Sequence, residues 1–174
     1  MTDRPSAVDW EYFLTDLDPA TNPPRIPLRL RQYAVARTFR ALWIYRRYGW
    51  VPAQRYLQKL PGGPGAAIQT ILPAATAIRL ARREVLTSQL VLRVVIPNGL
   101  CLPRSFALAT YLSALGLPAE VTIARPLTRV TPKDDFHSWT ELYGVVINDE
   151  PDVQLGYRVL HRVTGLRGEP RSSR

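Results

Sequence analysis

The sequence predicts an α+β fold in which a helical N-terminal half precedes an antiparallel β-sheet. Three observations support this. Apolar residues recur at helical spacing between residues 27 and 90, and a further helical pattern covers residues 102–115. Short segments with strand-like composition, separated by turn residues, then follow. The 174 residues suffice for one domain with a hydrophobic core, or for one domain with a helical extension.

The first part of the chain divides into a lead-in and a basic helical region. Residues 1–24 are polar and end at Pro23-Pro24, where proline removes backbone donors and disfavours a helix in the preceding residue. Residues 25–90 form the basic helical region, with helices predicted over 27–48, over 52–60 and over 66–90, the last broken or kinked at Pro73. Gly49 is the expected C-cap of the first helix. The face of that helix predicted to be buried carries Leu28, Val35, Phe39, Leu42 and Trp43.

Residues 91–174 form the predicted catalytic core. A helix over 102–115 has Pro103 in its first turn and is followed by Gly116 and Pro118, which is typical of helix boundaries. Strands are predicted over 119–124, 136–142, 145–149 and 157–163. Their order suggests an antiparallel meander packed against the helix.

The composition narrows the classes of function. With one cysteine and two histidines, the chain has no internal disulfide and no Cys/His metal cluster, and neither a metal nor a cofactor is expected. Neither a secretory signal nor a membrane-spanning stretch is visible, so we expect a cytoplasmic protein.

The charge is unevenly distributed. The formal net charge is +9, and no acid lies between Pro19 and Arg83. Such a region suits an acidic partner, which could be a nucleic acid, an anionic membrane surface, or an acidic protein or peptide. The alternative is a solvated arginine face without a partner.

Cys101 is the candidate nucleophile because it lies where the helix of the catalytic core begins. The positive end of a helix dipole and the unpaired amides of the first turn favour thiolate over thiol. The amides of Cys101 and Leu102 are candidates to hold the oxyanion of a tetrahedral intermediate. The competing interpretation is a buried, inert thiol, since free cysteine is among the most buried residue types.

A thiolate that attacks an amide needs a nearby histidine to protonate the leaving nitrogen. His161 lies in a basic run and is interpreted as a surface residue, whereas His137 opens a strand whose hairpin partner ends near Asp149. A three-residue loop with Gly144 in the left-handed conformation would place His137 opposite Asp149. A two-residue loop would place Glu150 there and turn Asp149 to the other face. The triad therefore predicts the three-residue loop; without Cys101, the pair would be interpreted as exposed polar residues at a hairpin end.

Three motifs resemble the leader peptidases of lasso-peptide biosynthesis over roughly residues 98–163. They are Asn98-Gly99-Leu100-Cys101-Leu102-Pro103-Arg104-Ser105, His137-Ser138-Trp139-Thr140-Glu141 and Asn148-Asp149-Glu150-Pro151-Asp152-Val153. The resemblance implies a transglutaminase-like, papain-related fold with a Cys-His-Asp triad: Cys101 as nucleophile, His137 as base and Asp149 as orienting acid. Ser138 and Thr140 replace residues that are more often apolar in that family, a change expected to leave the chemistry untouched.

The resemblance also implies a substrate and partners. Members of the family cut the leader from a ribosomally made precursor peptide. Because residues 1–90 show no hairpin signal for a leader-binding domain, the chain resembles the stand-alone protease half, which would need a separate leader-recognition protein. The basic helical region could then dock that partner, the precursor or the macrocycle-forming synthetase, and no nucleic acid is expected.

Two other functions remain open at this level. The same triad could transfer the acyl group to an amine, as transglutaminases do, or the basic half could be an adaptor for nucleic acid or membrane. Among the neighbouring residues, Trp139 is expected to be core rather than active-site wall, and Glu141 a surface residue or a support for the site. Gln89 and Asn98 are possible side-chain donors to the oxyanion.

Overall fold

The fold is described from a computed structural model that covers residues 22–60, 72–128 and 136–165. Most of the predicted lead-in therefore lies outside the described residues, as does the start of the third predicted helix. Four helices are described: α1 (Leu28–Tyr48), α2 (Trp50–Gln58), α3 (Ala74–Val95) and α4 (Cys101–Ala114). None of them combines the length and apolar composition needed to cross a bilayer.

The helix boundaries follow the local signals in the sequence. Gly49 separates α1 from α2 with φ +83°, and its N–H donates to the carbonyl of Tyr45, as expected of a C-cap. Pro73 immediately precedes α3, because proline is favoured at a helix start and disfavoured in the helix interior. α3 continues five residues beyond the predicted end at residue 90 and reaches the turn that leads to Cys101.

The buried face of α1 differs from the prediction. The helix buries mostly small residues, whereas Leu28, Phe39 and Trp43 are about half exposed or more; the buried set is Leu30, Ala34, Thr38, Ala41 and Leu42. Small side chains allow close packing against α4. The prediction missed this face because it considered only the large apolar residues. Two arginines of α1 bond to α3, Arg31 to the Glu84 carboxylate and Arg46 to the Val95 carbonyl.

α4 is the central helix of the domain. Every residue from Ser105 to Ala114 is buried, and the helix contacts α1, α3 and the strands β1 and β2. One core cluster contains residues of α1, α2, α3, α4 and the sheet. A helix that is apolar all round is stable only when it is enclosed in this way.

Four strands form one antiparallel sheet: β1 (Ala119–Pro126), β2 (His137–Leu142), β3 (Val145–Val146) and β4 (Tyr157–Thr164). The chain thus has the predicted α+β architecture, with the helix that begins at Cys101 packed on an antiparallel sheet. The strand order is β3-β2-β1-β4, so β4 returns to pair with β1 instead of continuing a meander past β3. A short 3-10 helix, Pro151–Gly156, makes that return over the sheet face opposite α4.

Candidate active site

Cys101 is the first residue of α4 and is partly buried. Few backbone amides are free to donate at this helix end. Pro103 has no N–H, and the Arg104 amide already donates to the Leu100 carbonyl at 3.2 Å. The remaining donors are the amides of Cys101 and Leu102. The Leu102 amide lies near enough to the thiol to help lower its pKa.

The surroundings of Cys101 favour the thiolate. The pKa of the thiol is lowered, chiefly by the neighbouring His137 imidazole and also by the Leu102 amide, against the opposing effect of burial. The pKa of His137 is raised, first by the Cys101 thiol and then by Asp149. The two shifts are opposite in sign, as expected of a thiolate–imidazolium pair.

His137 is held on its other side by Asp149. The His137 Nε2 atom lies 2.6 Å from Asp149 Oδ2, and about a quarter of each side chain is exposed. Because Nε2 is engaged by the carboxylate, the nitrogen left for the Cys101 thiol is Nδ1. The structure therefore brings together all three side chains that the sequence singled out.

The hairpin that carries this pair has a two-residue loop, so the prediction of a three-residue loop is wrong. Leu142 pairs with Val145, and Glu141 pairs with Val146. The loop residues Tyr143 and Gly144 both have positive φ, +54° and +81°. These values fit a type I′ turn, which matches the twist of two-residue hairpins.

Asp149 nevertheless reaches His137 because the second strand stops after two residues. The Ile147 amide donates to the Thr140 carbonyl, as a regular ladder requires, but the Thr140 amide donates to the side chain of Asn148 (Oδ1, 2.7 Å). The ladder ends here because a side-chain oxygen takes the place of the backbone carbonyl. Residues 147–149 bend away from strand geometry, and the bend brings Asp149 to the face of His137.

A buried polar network joins α4 to both sides of this hairpin. Ser105 Oγ lies 3.0 Å from the Cys101 carbonyl and 2.9 Å from the Ser138 carbonyl, and it accepts a hydrogen bond from Asn148 Nδ2 at 3.2 Å. Thr140 Oγ1 donates to the Ser105 carbonyl at 2.9 Å. The network thus bonds Cys101 itself and one chain neighbour each of His137 and Asp149.

Two aromatic rings pack near the imidazole ring of His137. The ring centroid of His137 lies 5.9 Å from that of Trp139 and 5.2 Å from that of Tyr157. Trp139 is fully buried and donates to Glu141 Oε1 at 2.6 Å. Glu141 also accepts from Thr122, so it is a buried structural acceptor and not a surface residue. Trp139 is both core, as predicted, and a neighbour of the His137 ring.

Among the described residues, no hydrogen bond joins Gln89, Asn98 or His161 to Cys101 or His137. Asn98 is exposed, and the Gln89 amide donates to the Arg104 carbonyl at 3.5 Å. His161 is exposed, as predicted, and its Nε2 lies 3.1 Å from the Gln54 amide. Within the described ranges, no group of three His, Cys, Asp or Glu side chains could hold a metal ion.

Sequence reasoning missed the supporting residues Ser105, Asn148 and Tyr157. Ser105 and Asn148 belong to the quoted motifs, but only their neighbours were assigned chemistry. One available signal was periodicity, since Ser105 lies one helical turn after Cys101 and shares its face of α4. Ser138 and Thr140, expected to leave the chemistry untouched, both lie beside the site: the Ser138 carbonyl accepts from Ser105 Oγ, and Thr140 bonds α4.

Comparison with known proteins identifies a family for this arrangement. The family model described as the transglutaminase-like superfamily matches residues 35–162, about three quarters of the chain. The matched segment contains α2, α3, α4 and the triad candidates, together with about two thirds of α1 and three quarters of β4. Searches of curated proteins and of solved structures give no significant match.

Proposed function

The chain belongs to the transglutaminase-like superfamily, which includes cysteine peptidases and acyl transferases, and from that premise we propose that it is a cysteine peptidase. Cys101 is the nucleophile, His137 the acid–base group and Asp149 the orienting acid. The observation that carries the proposal is the position of the His137 ring, which bonds Asp149 through Nε2 at 2.6 Å and lies close enough to Cys101 for the two groups to shift each other's pKa in opposite directions. An imidazole held in this way has a fixed tautomer and a fixed direction.

The reaction follows from these contacts. The Cys101 thiolate attacks the carbonyl carbon of a peptide bond, and the amides of Cys101 and Leu102 are the nearest backbone donors for the resulting oxyanion. The imidazolium of His137 then gives its proton to the leaving nitrogen as the C–N bond breaks, which leaves a thioester on Cys101. His137 next takes a proton from water, which attacks the thioester and releases the acid and the thiolate.

The substrate class rests on the resemblance of the three motifs to lasso-peptide leader peptidases. We propose that the peptide cut is the leader–core junction of a ribosomally made precursor, presented by a separate leader-recognition protein in the cytoplasm. The chemistry of the proposed step requires neither a metal nor a cofactor. The macrocycle-forming synthetase is a further proposed partner, because it would receive the released core peptide.

The test is to incubate the protein with a lasso-type precursor and its leader-recognition protein and to follow the peptide masses. We expect cleavage by the parent, loss of at least about 10⁴-fold in rate for Cys101→Ala and His137→Ala, and a strong loss for Asp149→Asn. His161→Ala is the matched control and should cleave normally. Undiminished cleavage by Cys101→Ala would refute the proposal.

The same experiment separates hydrolysis from acyl transfer. With a primary amine in excess, a peptidase still releases the free acid. An acyl transferase instead gives an amide that is heavier than the free acid by the mass of the amine less one water. A predominant amine adduct would move the assignment to the acyl transferases of the superfamily while leaving the triad in place.

A further inference from the structure

A groove between α1 and α2 is rich in basic side chains. α2 follows α1 after Gly49, and the two helices border an open groove of about 450 Å³. Its lining includes four basic side chains together with aromatic and aliphatic ones, the residues used below being Arg37, Arg40, Tyr48, Arg55, Tyr56 and Lys59. No acid lines the groove.

These four cations lack carboxylate partners within the described ranges. Elsewhere in those ranges, Arg31 pairs with Glu84 at 2.8 Å and Arg162 lies 3.5 Å from Glu141. Arg37 and Arg40 are spaced as helical neighbours in α1, and like charges at such spacing destabilise a helix. Arg55 lies in the last turn of α2, and Lys59 directly follows that helix. An unneutralised cluster that costs stability is typical of a site for an anion.

Two of the guanidinium groups are already oriented by aromatic rings. Arg37 Cζ lies 4.9 Å from the ring centroid of Tyr33, and Arg40 Cζ lies 5.8 Å from that of Tyr56. A guanidinium stacked on a ring keeps its N–H edge available for bidentate contact with a carboxylate, and less side-chain entropy is lost on binding.

The helix α1, which lines the groove, also contacts the helix that begins at the candidate nucleophile. Tyr48 lines the groove, while the pKa of Tyr45, on the same turn of α1, is raised by burial and by the charge of Cys101. Tyr45 also packs at 6.0 Å against Phe106 of α4. From Tyr45 to Arg37 the helix rises about 12 Å, which about four residues of extended peptide would span.

We propose that this groove binds an acidic segment of the peptide substrate, so that the carboxylates held by α1 and α2 anchor a chain whose scissile bond lies at Cys101. This proposal rests on the proposed peptidase function and deepens it. Peptide carboxylates are favoured over a phosphate group because the cations form two pairs spread along two helices. A phosphate cradle instead concentrates its donors, typically backbone amides at a helix N-terminus, on one point.

The test measures binding without cleavage. The full chain is titrated into a fluorescein-labelled peptide of alternating glutamate and alanine, with a glutamine–alanine peptide as the uncharged comparison, and anisotropy is followed. Arg40→Gln with Arg55→Gln should weaken binding of the acidic peptide roughly tenfold or more, because each lost charge-assisted bond carries a substantial part of the affinity. Arg82→Gln with Arg93→Gln, exposed positions on α3, has the same net charge and should change binding less than about twofold.

Several results would overturn the proposal. Equal losses in the two double variants would indicate nonspecific attraction to a basic protein. Equal binding of the glutamine peptide would exclude carboxylate recognition, and displacement by tripolyphosphate far more effective than by the acidic peptide would assign the groove to phosphates. Arg40→Lys with Arg55→Lys should restore part of the affinity, and a circular dichroism melt should show that each variant is folded. Normal binding by a protein that cleaves no precursor would refute the peptidase function and leave the binding groove in place.

Discussion

Replacing Asn148 by alanine tests whether a side chain outside the triad sets the position of Asp149. The substitution removes the acceptor of the Thr140 amide and the donor to Ser105 Oγ. A buried amide left without a partner costs about 1–3 kcal/mol, and the second bond contributes about 0.5–1.5 kcal/mol. Together they predict a loss of about 2–4 kcal/mol in the free energy of unfolding, or roughly 5–15 °C in Tm for a domain of this size.

The effect on activity should exceed what the lost stability explains. Without the Asn148 side chain, the Thr140 amide can regain a partner only from the Ile147 carbonyl of a regular ladder. A regular ladder would place Glu150, and not Asp149, opposite His137. Misplacing Asp149 by about 1 Å should lower kcat/KM roughly 10²-fold at a temperature where the variant is fully folded. The measurements are a thermal melt, the rate of thiol alkylation by iodoacetamide and the rate of precursor cleavage.

The matched control is Gln154→Ala, which removes another amide near the same hairpin. Gln154 is exposed and its amide lies 3.5 Å from the Gly144 carbonyl, so the change in stability should stay within about 0.5 kcal/mol. If Asn148→Ala were as stable, as reactive and as active as the parent, the proposed role of Asn148 in holding the bend would be refuted. A loss of stability with unchanged thiol reactivity and cleavage would limit Asn148 to a structural role.

Three further predictions concern the thiol, its histidine partner and the hairpin. Because the pKa of Cys101 is lowered from 9.0 by His137 and that of His137 is raised from 6.5, alkylation of the parent should have its midpoint below pH 9, and His137→Ala should move it upward; an unchanged midpoint would contradict the pairing. The raised pKa of His137 also means that its pairing stabilises the fold fully below about pH 6.5 and ceases to do so as the pH rises through the folded-state value, which melts of parent and variant across that range should show. Tyr143→Asn should stabilise the protein by about 1 kcal/mol, since asparagine tolerates positive φ better, and should leave alkylation unchanged; a lower Tm would mean that the packing of the tyrosine ring outweighs the backbone cost.

The sequence by itself determined the order of the helices and strands, because periodicity and breakers act locally. Gly49, Pro73 and Pro103 lie at or near helix boundaries where the chain chemistry requires them. It also determined the candidate triad, since one cysteine, two histidines and one usable hairpin leave few combinations. The transglutaminase-like fold that the sequence motifs implied agrees with the superfamily match over residues 35–162.

The tertiary structure decided the features that depend on neighbours distant in the chain. The buried face of α1 was predicted from large apolar residues, but close packing on α4 selected small ones such as Ala34 and Ala41. Hairpin counting allowed two registers and chose the wrong one, because it treated the second strand as regular up to Asp149. What places Asp149 beside His137 is Asn148, whose side chain ends the ladder and bonds α4, a contact across 43 residues that no local pattern specifies.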